Sequence, residues 1–262
     1  MTPPTDRPVY FLADAHLGGL EDPADVSSER DLEAFLRSIE GAAEALYLVG
    51  DIFDFWFEYR VASAHGHDGV LRALDALSHS GTAVKFLGGN HDYWAGQEFE
   101  RLTGASVHRD PIVATHGGKR LFIAHGDGLP AGDRGYRILK SVLRNPIAIS
   151  AFRQLSPAIG ARLAVRVSNV SGITDDRVQA AIPPMREFLI SKLDEGFDAA
   201  VVGHVHAPRL WKQDGRDAII VGDWMTNRSV TVLDASGFRM LRWTDGALVP
   251  NDEACGSADV AG

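Results

Sequence analysis

The chain has 262 residues, of which 45% are hydrophobic and 23% are charged, and its formal net charge at pH 7 is −9. This composition is that of a globular protein with a sizeable core, and the negative charge argues against a general nucleic-acid-binding protein. The single cysteine, Cys255, excludes a disulfide framework and a thiolate metal site, so we expect a reducing, cytoplasmic environment. We expect neither a signal peptide nor a membrane span, because no segment approaches the ~20 apolar residues that a span needs.

Short apolar runs predict five buried strands, at residues 9–13, 46–49, 84–87, 121–124 and 199–202. Apolar residues at helical spacing predict helices around 32–39 and 71–77, the first with Ser27 or Ser28 as its N-cap and the second ending at Gly81. Pro183 and Pro184 are predicted to open a further helix over 185–193. The aromatic cluster at 53–59 is expected mostly to pack in the core.

Each of the five strands ends on side chains that divalent metal ions accept as ligands. These candidate ligands are Asp14, His16, Asp51, Asn90, His125, His204 and His206. They are too many for one tetrahedral ion and suit two ions that share a bridging ligand.

The carboxylate of Asp51 is the natural bridge between two ions. Asp14, His16 and His206 would complete the first site, and Asn90, His125 and His204 the second. The donors lack sulfur, which favours Mn²⁺, with Fe or Zn²⁺ as alternatives, over Ca²⁺. Two such ions can polarise a phosphoryl oxygen and lower the pKa of a water, so that hydroxide can attack phosphorus near neutral pH.

His91 directly follows Asn90 and is too close to it to be a comfortable ligand of the same ion. We predict that His91 contacts the phosphate or protonates the leaving group as a general acid. Asp92 or Asp54 would then orient its ring, as carboxylates often do for imidazoles. The alternative is a histidine with a purely structural role.

A basic stretch separates the fourth strand from the fifth. Residues 131–168 carry seven basic side chains and one acidic one, a local balance of +6 that leaves −15 for the rest of the chain. One interpretation is a solvated helical face. The other is a helical cap, at about 131–182, whose apolar groove and basic rim suit an anionic amphiphile or an anionic membrane. We predict one domain over 1–262 with a disordered tail at about 250–262.

The ligand residues, in this order, resemble the motif blocks of the calcineurin-like metallophosphoesterases. The D-x-H, G-D-x-x-D, G-N-H-D/E, H-G and G-H-x-H blocks correspond to Asp14/His16, Gly50-Asp51/Asp54, Gly89-Asn90-His91-Asp92, His125-Gly126 and Gly203-His204/His206. The resemblance implies an α/β fold, built as a two-sheet β-sandwich flanked by helices, with a dinuclear site where the strands end.

Residues 50–56, 133–136, 144–146 and 222–224 further resemble the branch of that family that hydrolyses UDP-2,3-diacylglucosamine to UMP and a diacylated sugar phosphate in the lipid A pathway. The resemblance implies a cap that holds acyl chains and peripheral contact with the inner face of the plasma membrane. The substrate contacts predicted from it are Asn90, His91, Asp127, Asp133, Arg134, Tyr136, Arg137, Lys140 and Arg144. The chain departs from many members of that branch at His91, where they have arginine. A soluble phosphodiesterase of other specificity, for example toward cyclic nucleotides, and a non-catalytic scaffold remain alternatives, and the oligomeric state is not predicted.

Overall fold

Two mixed β-sheets lie face to face and carry helices on their outer faces. The computed structural model describes residues 7–18, 23–59, 66–129, 144–152, 154 and 174–254. This arrangement confirms the predicted α/β sandwich flanked by helices.

The first sheet has seven strands in the order β12-β11-β10-β1-β2-β3-β4. Its strands are β1 (Val9–Leu12), β2 (Ala45–Leu48), β3 (Ala83–Leu87), β4 (Ser106–His108), β10 (Ser229–Asp234), β11 (Gly237–Thr244) and β12 (Ala247–Pro250). Strands β1 to β4 are parallel, and β10 joins them antiparallel to β1.

The second sheet has five strands in the order β5-β6-β7-β9-β8. Its strands are β5 (Ile112–His116), β6 (Lys119–Ala124), β7 (Ala199–Val202), β8 (Arg209–Gln213) and β9 (Arg216–Ile220). Strands β6, β7 and β9 are parallel to one another, while β5 and β8 pair antiparallel at the edges.

Alternation of side chains along each strand creates the layers. Along β1, Phe11 points into the core between the two sheets and stacks on Tyr47 of β2 with ring centroids 5.1 Å apart. The next residue, Leu12, points the other way, into the core under the helices of the first sheet. The helices are α1 (Pro23–Ser38), α2 (Asp68–His79) and α3 (Gln97–Thr103) on the first sheet, α5 (Asp175–Asp194) on the second sheet, and the short α4 (Pro146–Phe152).

Two helix starts differ from the prediction. Helix α1 begins at Pro23, so Ser27 and Ser28 lie inside it and neither is its N-cap. Proline suits the first turn of a helix because its fixed φ is already helical and its missing N–H would have had no partner there.

Helix α5 begins at Asp175 and runs through Pro183 and Pro184, which therefore do not open it. Each proline removes one helical hydrogen bond, and such an interior proline costs about 3 kcal/mol. The carbonyl groups that lose these bonds belong to Gln179 and Ala180, which are exposed and accessible to water. Burial of Met185, Leu189 and Leu193 against the second sheet offsets the cost and keeps the helix continuous.

The predicted cap and tail are only partly within the described residues. Helix α5 crosses the predicted end of the cap at 182, and residues 130–143 and 155–173 lie outside the described ranges. Five predicted substrate contacts lie there as well: Asp133, Arg134, Tyr136, Arg137 and Lys140. Beyond β12, residues 252–254 form a 3-10 helix and Ala254 is fully buried, so order extends past the predicted boundary at 250.

Among the residues that the structure describes, no helix is both long and apolar enough to cross a bilayer.

Candidate metal centre

The parallel strands of both sheets end at the same end of the sandwich, and their loops bind one another there. The loop after β1 donates from the Asp14 N–H to the carbonyl of Gly50 over 3.0 Å and from the His16 N–H to the carbonyl of Asp51 over 3.0 Å. In the second sheet, the Gly203 N–H donates to the carbonyl of His125 over 2.9 Å. The predicted ligands are thus brought together by backbone contacts between loops far apart in sequence.

Four of the candidate ligands have a left-handed backbone, which is rare outside glycine. Their φ angles are 52° at Asp14, 45° at His16, 52° at Asp51 and 65° at His204. Each such residue costs of order 1–2 kcal/mol, and a fold retains this strain when the surrounding contacts over-determine it, as at many functional sites.

The first group of donors consists of Asp14, His16 and His206. One donor atom from each lies within 4.8 Å of the others. Asp14 Oδ1 is 3.5 Å from His206 Nε2 and 4.0 Å from His16 Nε2, whereas Asp14 Oδ2 accepts the backbone N–H of His204 over 2.8 Å. One carboxylate oxygen of Asp14 is therefore engaged by the protein, and the other faces the two imidazoles.

The second group consists of Asp51, His125 and His204, again with donor atoms within 4.8 Å of one another. His125 Nε2 lies 3.3 Å from Asp51 Oδ2 and 3.3 Å from Asn90 Oδ1. The other ring nitrogen, Nδ1, donates to the carbonyl of Val49 over 2.8 Å, which directs Nε2 into the centre.

Asp51 stands between the two groups. A donor atom of Asp51 also lies within 4.8 Å of those of His16 and His91. Its Oδ1 accepts the His91 backbone N–H over 2.8 Å, and a Cβ at Gly89 would meet that same oxygen at 2.1 Å. Only glycine at 89 lets the loop that carries Asn90 approach the Asp51 carboxylate so closely. All seven predicted ligands therefore meet at one place, with Asp51 at the junction.

The donor atoms fit divalent cations. Three buried polar atoms of the first group have no hydrogen-bond partner among the described residues, namely Asp14 Oδ1, His16 Nε2 and His206 Nδ1. Buried polar atoms without partners are costly and uncommon in native proteins. A cation between Asp14 and His16 would satisfy Asp14 Oδ1 and His16 Nε2, the two of these atoms that face each other. A set of oxygen and imidazole donors without sulfur is the set that Mn²⁺, Fe and Zn²⁺ accept.

His91 is oriented by Asp54, one of the two carboxylates predicted for that role. His91 Nδ1 donates to the Asp54 carbonyl over 2.9 Å and lies 3.3 Å from Asp54 Oδ1, so Nε2 is the ring nitrogen that Asp54 does not bind. Burial would lower the pKa of His91, but the carboxylates of Asp54 and Asp51 outweigh burial and raise that pKa to about 9. A protonated imidazole at this position can donate to a phosphoryl oxygen or a leaving group.

Asp92, the other carboxylate predicted to orient His91, binds backbone N–H groups instead. Its two oxygens accept the backbone N–H groups of Gly89 and of residues 51–53 over 2.7 to 3.3 Å. Asp92 is fully buried, and burial together with the nearby charge of Asp51 raises the pKa of its carboxyl group to about 6. It ties the Asp51 loop to the Gly89 loop rather than contacting the His91 ring.

Arg144, a residue of the predicted cap, contacts the loops that carry the candidate ligands Asn90 and His125. Its Nη2 lies 3.1 Å from Asp127 Oδ2 and 3.4 Å from the carbonyl of Gly89, and its guanidinium carbon lies 3.9 Å from the Tyr93 ring centroid. The structure thus brings Arg144 and the buried Asp127 beside the loop that precedes Asn90. Their contact with a substrate remains a prediction.

A run of aromatic rings in contact with one another continues from Tyr93. The Tyr93 and Trp94 centroids are 6.4 Å apart, those of Trp94 and Phe57 5.7 Å, and those of Phe57 and Phe152 of α4 4.7 Å. The expectation of core packing holds for Phe53, Trp56 and Phe57, which are buried. It does not hold for Phe55 and Tyr59, which are partly exposed. The sequence did not predict that the Trp94 loop and Phe152 of α4 meet at Phe57, because they lie far apart along the chain.

The profile of the calcineurin-like phosphoesterase family matches residues 7–208 of this chain. The chain belongs to this family. Membership confirms the predicted enzyme class, a phosphoesterase that depends on divalent metal ions.

The phosphoesterase is also similar to curated relatives named UDP-2,3-diacylglucosamine hydrolase. The relative from Porphyromonas gingivalis is 31% identical over 247 residues, which cover 87% of this chain and 94% of the relative. Those from Pseudomonas putida and Neisseria meningitidis are 30% and 31% identical over 241 and 235 residues, covering 88% of this chain and 97% and 96% of the relatives.

Proposed function

We propose that this phosphoesterase cleaves the pyrophosphate of UDP-2,3-diacylglucosamine, or of a close lipid-linked nucleotide sugar, to UMP and a lipid sugar phosphate. The observation that carries the hydrolase chemistry is the convergence of the seven donors around Asp51, where Asp14 Oδ1 and His16 Nε2 are buried and lack hydrogen-bond partners among the described residues. The names of relatives that align with nearly nine-tenths of the chain support the substrate.

In this proposal, Asp14, His16 and His206 would hold one ion and Asn90, His125 and His204 the other, with Asp51 as a ligand available to both positions. Two divalent ions, with Mn²⁺ the best match to the donors, polarise phosphoryl oxygens and lower the pKa of water.

The proton donor of the reaction is His91. The Asp54 carbonyl fixes the proton on Nδ1, so the ring presents Nε2–H to the phosphate or to the leaving group. Asp54 Oδ1, 3.3 Å from Nδ1, holds the ring in this orientation and favours its protonated form.

An anionic lipid suits the surface beside the centre. Arg144 offers cationic N–H groups next to Tyr93, and the half-buried rings of Tyr93, Trp94 and Phe152 form a run of aromatic rings around the buried Phe57. The anionic phosphate of a lipid would lie beside Arg144, and its apolar chain would lie beside the aromatic rings. The surplus of six positive charges over residues 131–168 extends the same pattern and would favour contact with anionic lipid headgroups. We therefore place the enzyme in the cytoplasm, in peripheral contact with the inner face of the plasma membrane.

A second candidate is a metal-dependent phosphodiesterase with another substrate, and His91 is the residue that favours it. In the branch of the family that acts on the diacylated nucleotide sugar, arginine is common at this position. An imidazole is a smaller and weaker anion-binding group than a guanidinium, so the phosphate that it faces could differ.

The direct test is to incubate the Mn²⁺-loaded protein with UDP-2,3-diacylglucosamine and to measure UMP. We expect release at a turnover of order 1 s⁻¹ or faster, within the usual range of enzymes. Asp51→Ala is the inactive control, because it removes the carboxylate that lies between the two donor groups. Absence of UMP, together with hydrolysis of bis(p-nitrophenyl) phosphate, would reject this substrate and favour the second candidate.

A further inference from the structure

A buried carboxylate outside the family match supports one half of the candidate centre. Asp223 follows β9, beyond residue 208 where the family match ends, and only 1% of it is exposed. Its oxygens accept the backbone N–H groups of Thr226 and Asn227 and the side-chain amide of Asn227. These contacts fold residues 223–227 into a closed loop.

That loop contacts the backbone of two candidate ligands. The N–H of Trp224 donates to the carbonyls of Ala13 and Asp14 over 3.0 and 3.2 Å, and the N–H of Met225 donates to the Asp14 carbonyl over 3.3 Å. On its other side, the Asn227 amide donates to the carbonyl of His206 over 3.3 Å. Asp14 and His206 belong to the same donor group, so one loop positions two ligands of one half.

The loop itself is fixed to the body of the protein. Trp224 is fully buried, and its indole N–H donates to the carbonyl of Ser28 in α1 over 3.0 Å. The Ser229 N–H donates to the Asp223 carbonyl over 3.0 Å and joins the loop to β10. Between these fixed ends, the Asp223 carboxylate binds the N–H groups of Thr226 and Asn227, and the Arg228 guanidinium binds the carbonyls of Trp224 and Met225.

The other half of the centre has a support of its own. Asp92 accepts backbone N–H groups from the loops that carry Asp51 and Asn90. Each half therefore has one buried carboxylate that binds backbone rather than facing the centre. Such outer partners commonly change metal affinity by ~10–100-fold when they are removed.

We propose that Asp223 is a positioning residue that sets the affinity of the metal position formed by Asp14, His16 and His206. The proposal rests on the dinuclear centre of the proposed function and does not depend on which phosphate ester is hydrolysed. Asp223 acts through the backbone of the 223–227 loop and touches neither the ion nor the substrate.

The test is titration of the metal-free full-length protein with Mn²⁺, followed by calorimetry and electron paramagnetic resonance. We expect two ions and an exchange-coupled spectrum for the wild type. Asp223→Ala should retain one ion, bind the second ~10–100-fold more weakly, and give the spectrum of isolated Mn²⁺ at low loading. Asp234→Ala is the matched control, since it removes a carboxylate that accepts a backbone N–H in the β10–β11 turn, from Ser236 over 2.8 Å.

Two further variants keep the test decisive. Asn227→Ala removes the exposed amide that contacts both His206 and the Asp223 carboxylate, and it should weaken the same ion even if Asp223→Ala fails to fold. Adding Asp223→Ala to a His206→Ala variant should leave the other ion unaffected, because both changes act on one metal position. Wild-type affinity for both ions in Asp223→Ala and Asn227→Ala, or equal loss of both ions, would overturn the proposal. Two ions in the wild type without UMP release would instead reject the proposed substrate and leave the role of Asp223 standing.

Discussion

Asp14 accepts a hydrogen bond from the backbone N–H of His204, 190 residues further along the chain, over 2.8 Å. Asp14 follows β1 of the first sheet and His204 follows β7 of the second, so this bond joins the two sheets at their ligand-bearing end. The donor set is therefore complete only when the sheets are packed together, and ions held by both sheets must stabilise that packing.

Metal binding should raise the stability of the fold. An ion that binds only the folded protein adds about 2.7 kcal/mol when its free concentration is 100 times the dissociation constant. We expect a higher melting temperature in Mn²⁺ than in a chelator, measured by calorimetry. The Asp51→Ala variant serves as a control in which most of that difference is lost. Equal melting temperatures for the wild type in the two conditions would contradict the centre as described.

Asp51→Ala should abolish hydrolysis and metal loading together. Asp51 is the carboxylate whose donor atoms lie close to His125 and His204 on one side and to His16 on the other. Its loss should cost more than the ~10–100-fold typical of an outer partner. Metal content by mass spectrometry and hydrolysis of bis(p-nitrophenyl) phosphate check this, and a fully active variant would remove Asp51 from the junction.

His91→Ala should lower turnover and leave the metal content unchanged. The role of a proton donor is worth ~10²–10⁴-fold in rate. A donor atom of His91 lies within 4.8 Å of donor atoms of His16 and Asp51, so His91 is also close enough to be tested as a metal ligand. Loss of an ion from this variant would show that His91 is itself a ligand.

Metal binding should release a proton from His125. Burial would lower the pKa of His125, but the Asp51 carboxylate outweighs it and raises that pKa to about 10. At pH 7 the His125 ring of the metal-free protein is therefore protonated. A metal ion binds only the neutral ring. With one linked proton, the affinity for the ion should rise by about tenfold per pH unit toward pH 10. His204 is already neutral at pH 7, since burial and the charge of His125 lower its pKa to about 4. Calorimetry at pH 7 in two buffers of different ionisation enthalpy checks this; identical heats would contradict the linkage.

Charge reversal at Arg137, Lys140 and Arg144 should impair cleavage of the lipid substrate more than cleavage of a small aryl diester. These cations are predicted to face an anionic lipid, which a small diester lacks. Reversal of the exposed Arg101 in α3, on the outer face of the first sheet, changes the net charge as much as reversal of Arg144 alone and is the control for that single variant. Equal losses on both substrates would reject the cap as a lipid-binding element. Arg144 is also tested alone, because its contact with Gly89 O could transmit a change to Asn90.

The sequence by itself predicted five of the twelve strands among the described residues, together with the candidate ligands at their ends. Apolar runs of four or five residues are long enough to predict buried strands, and the parallel sheets bring the donors at their ends together. The order of those donors also pointed to the family, which the match over 7–208 establishes.

Only the tertiary structure decided which neighbour each polar side chain contacts. Asp54 and Asp92 are equally plausible partners of His91 in sequence, yet Asp92 accepts four backbone N–H groups and Asp54 orients the ring. The continuity of α5 through Pro183 and Pro184 likewise depends on burial against the second sheet, which local propensity does not contain. The role of Asp223 depends on hydrogen bonds from its loop to Asp14 and His206, far away in the chain. Local sequence encodes periodicity and donor chemistry, whereas the choice between competing partners is made by distances that exist only after the two sheets have packed.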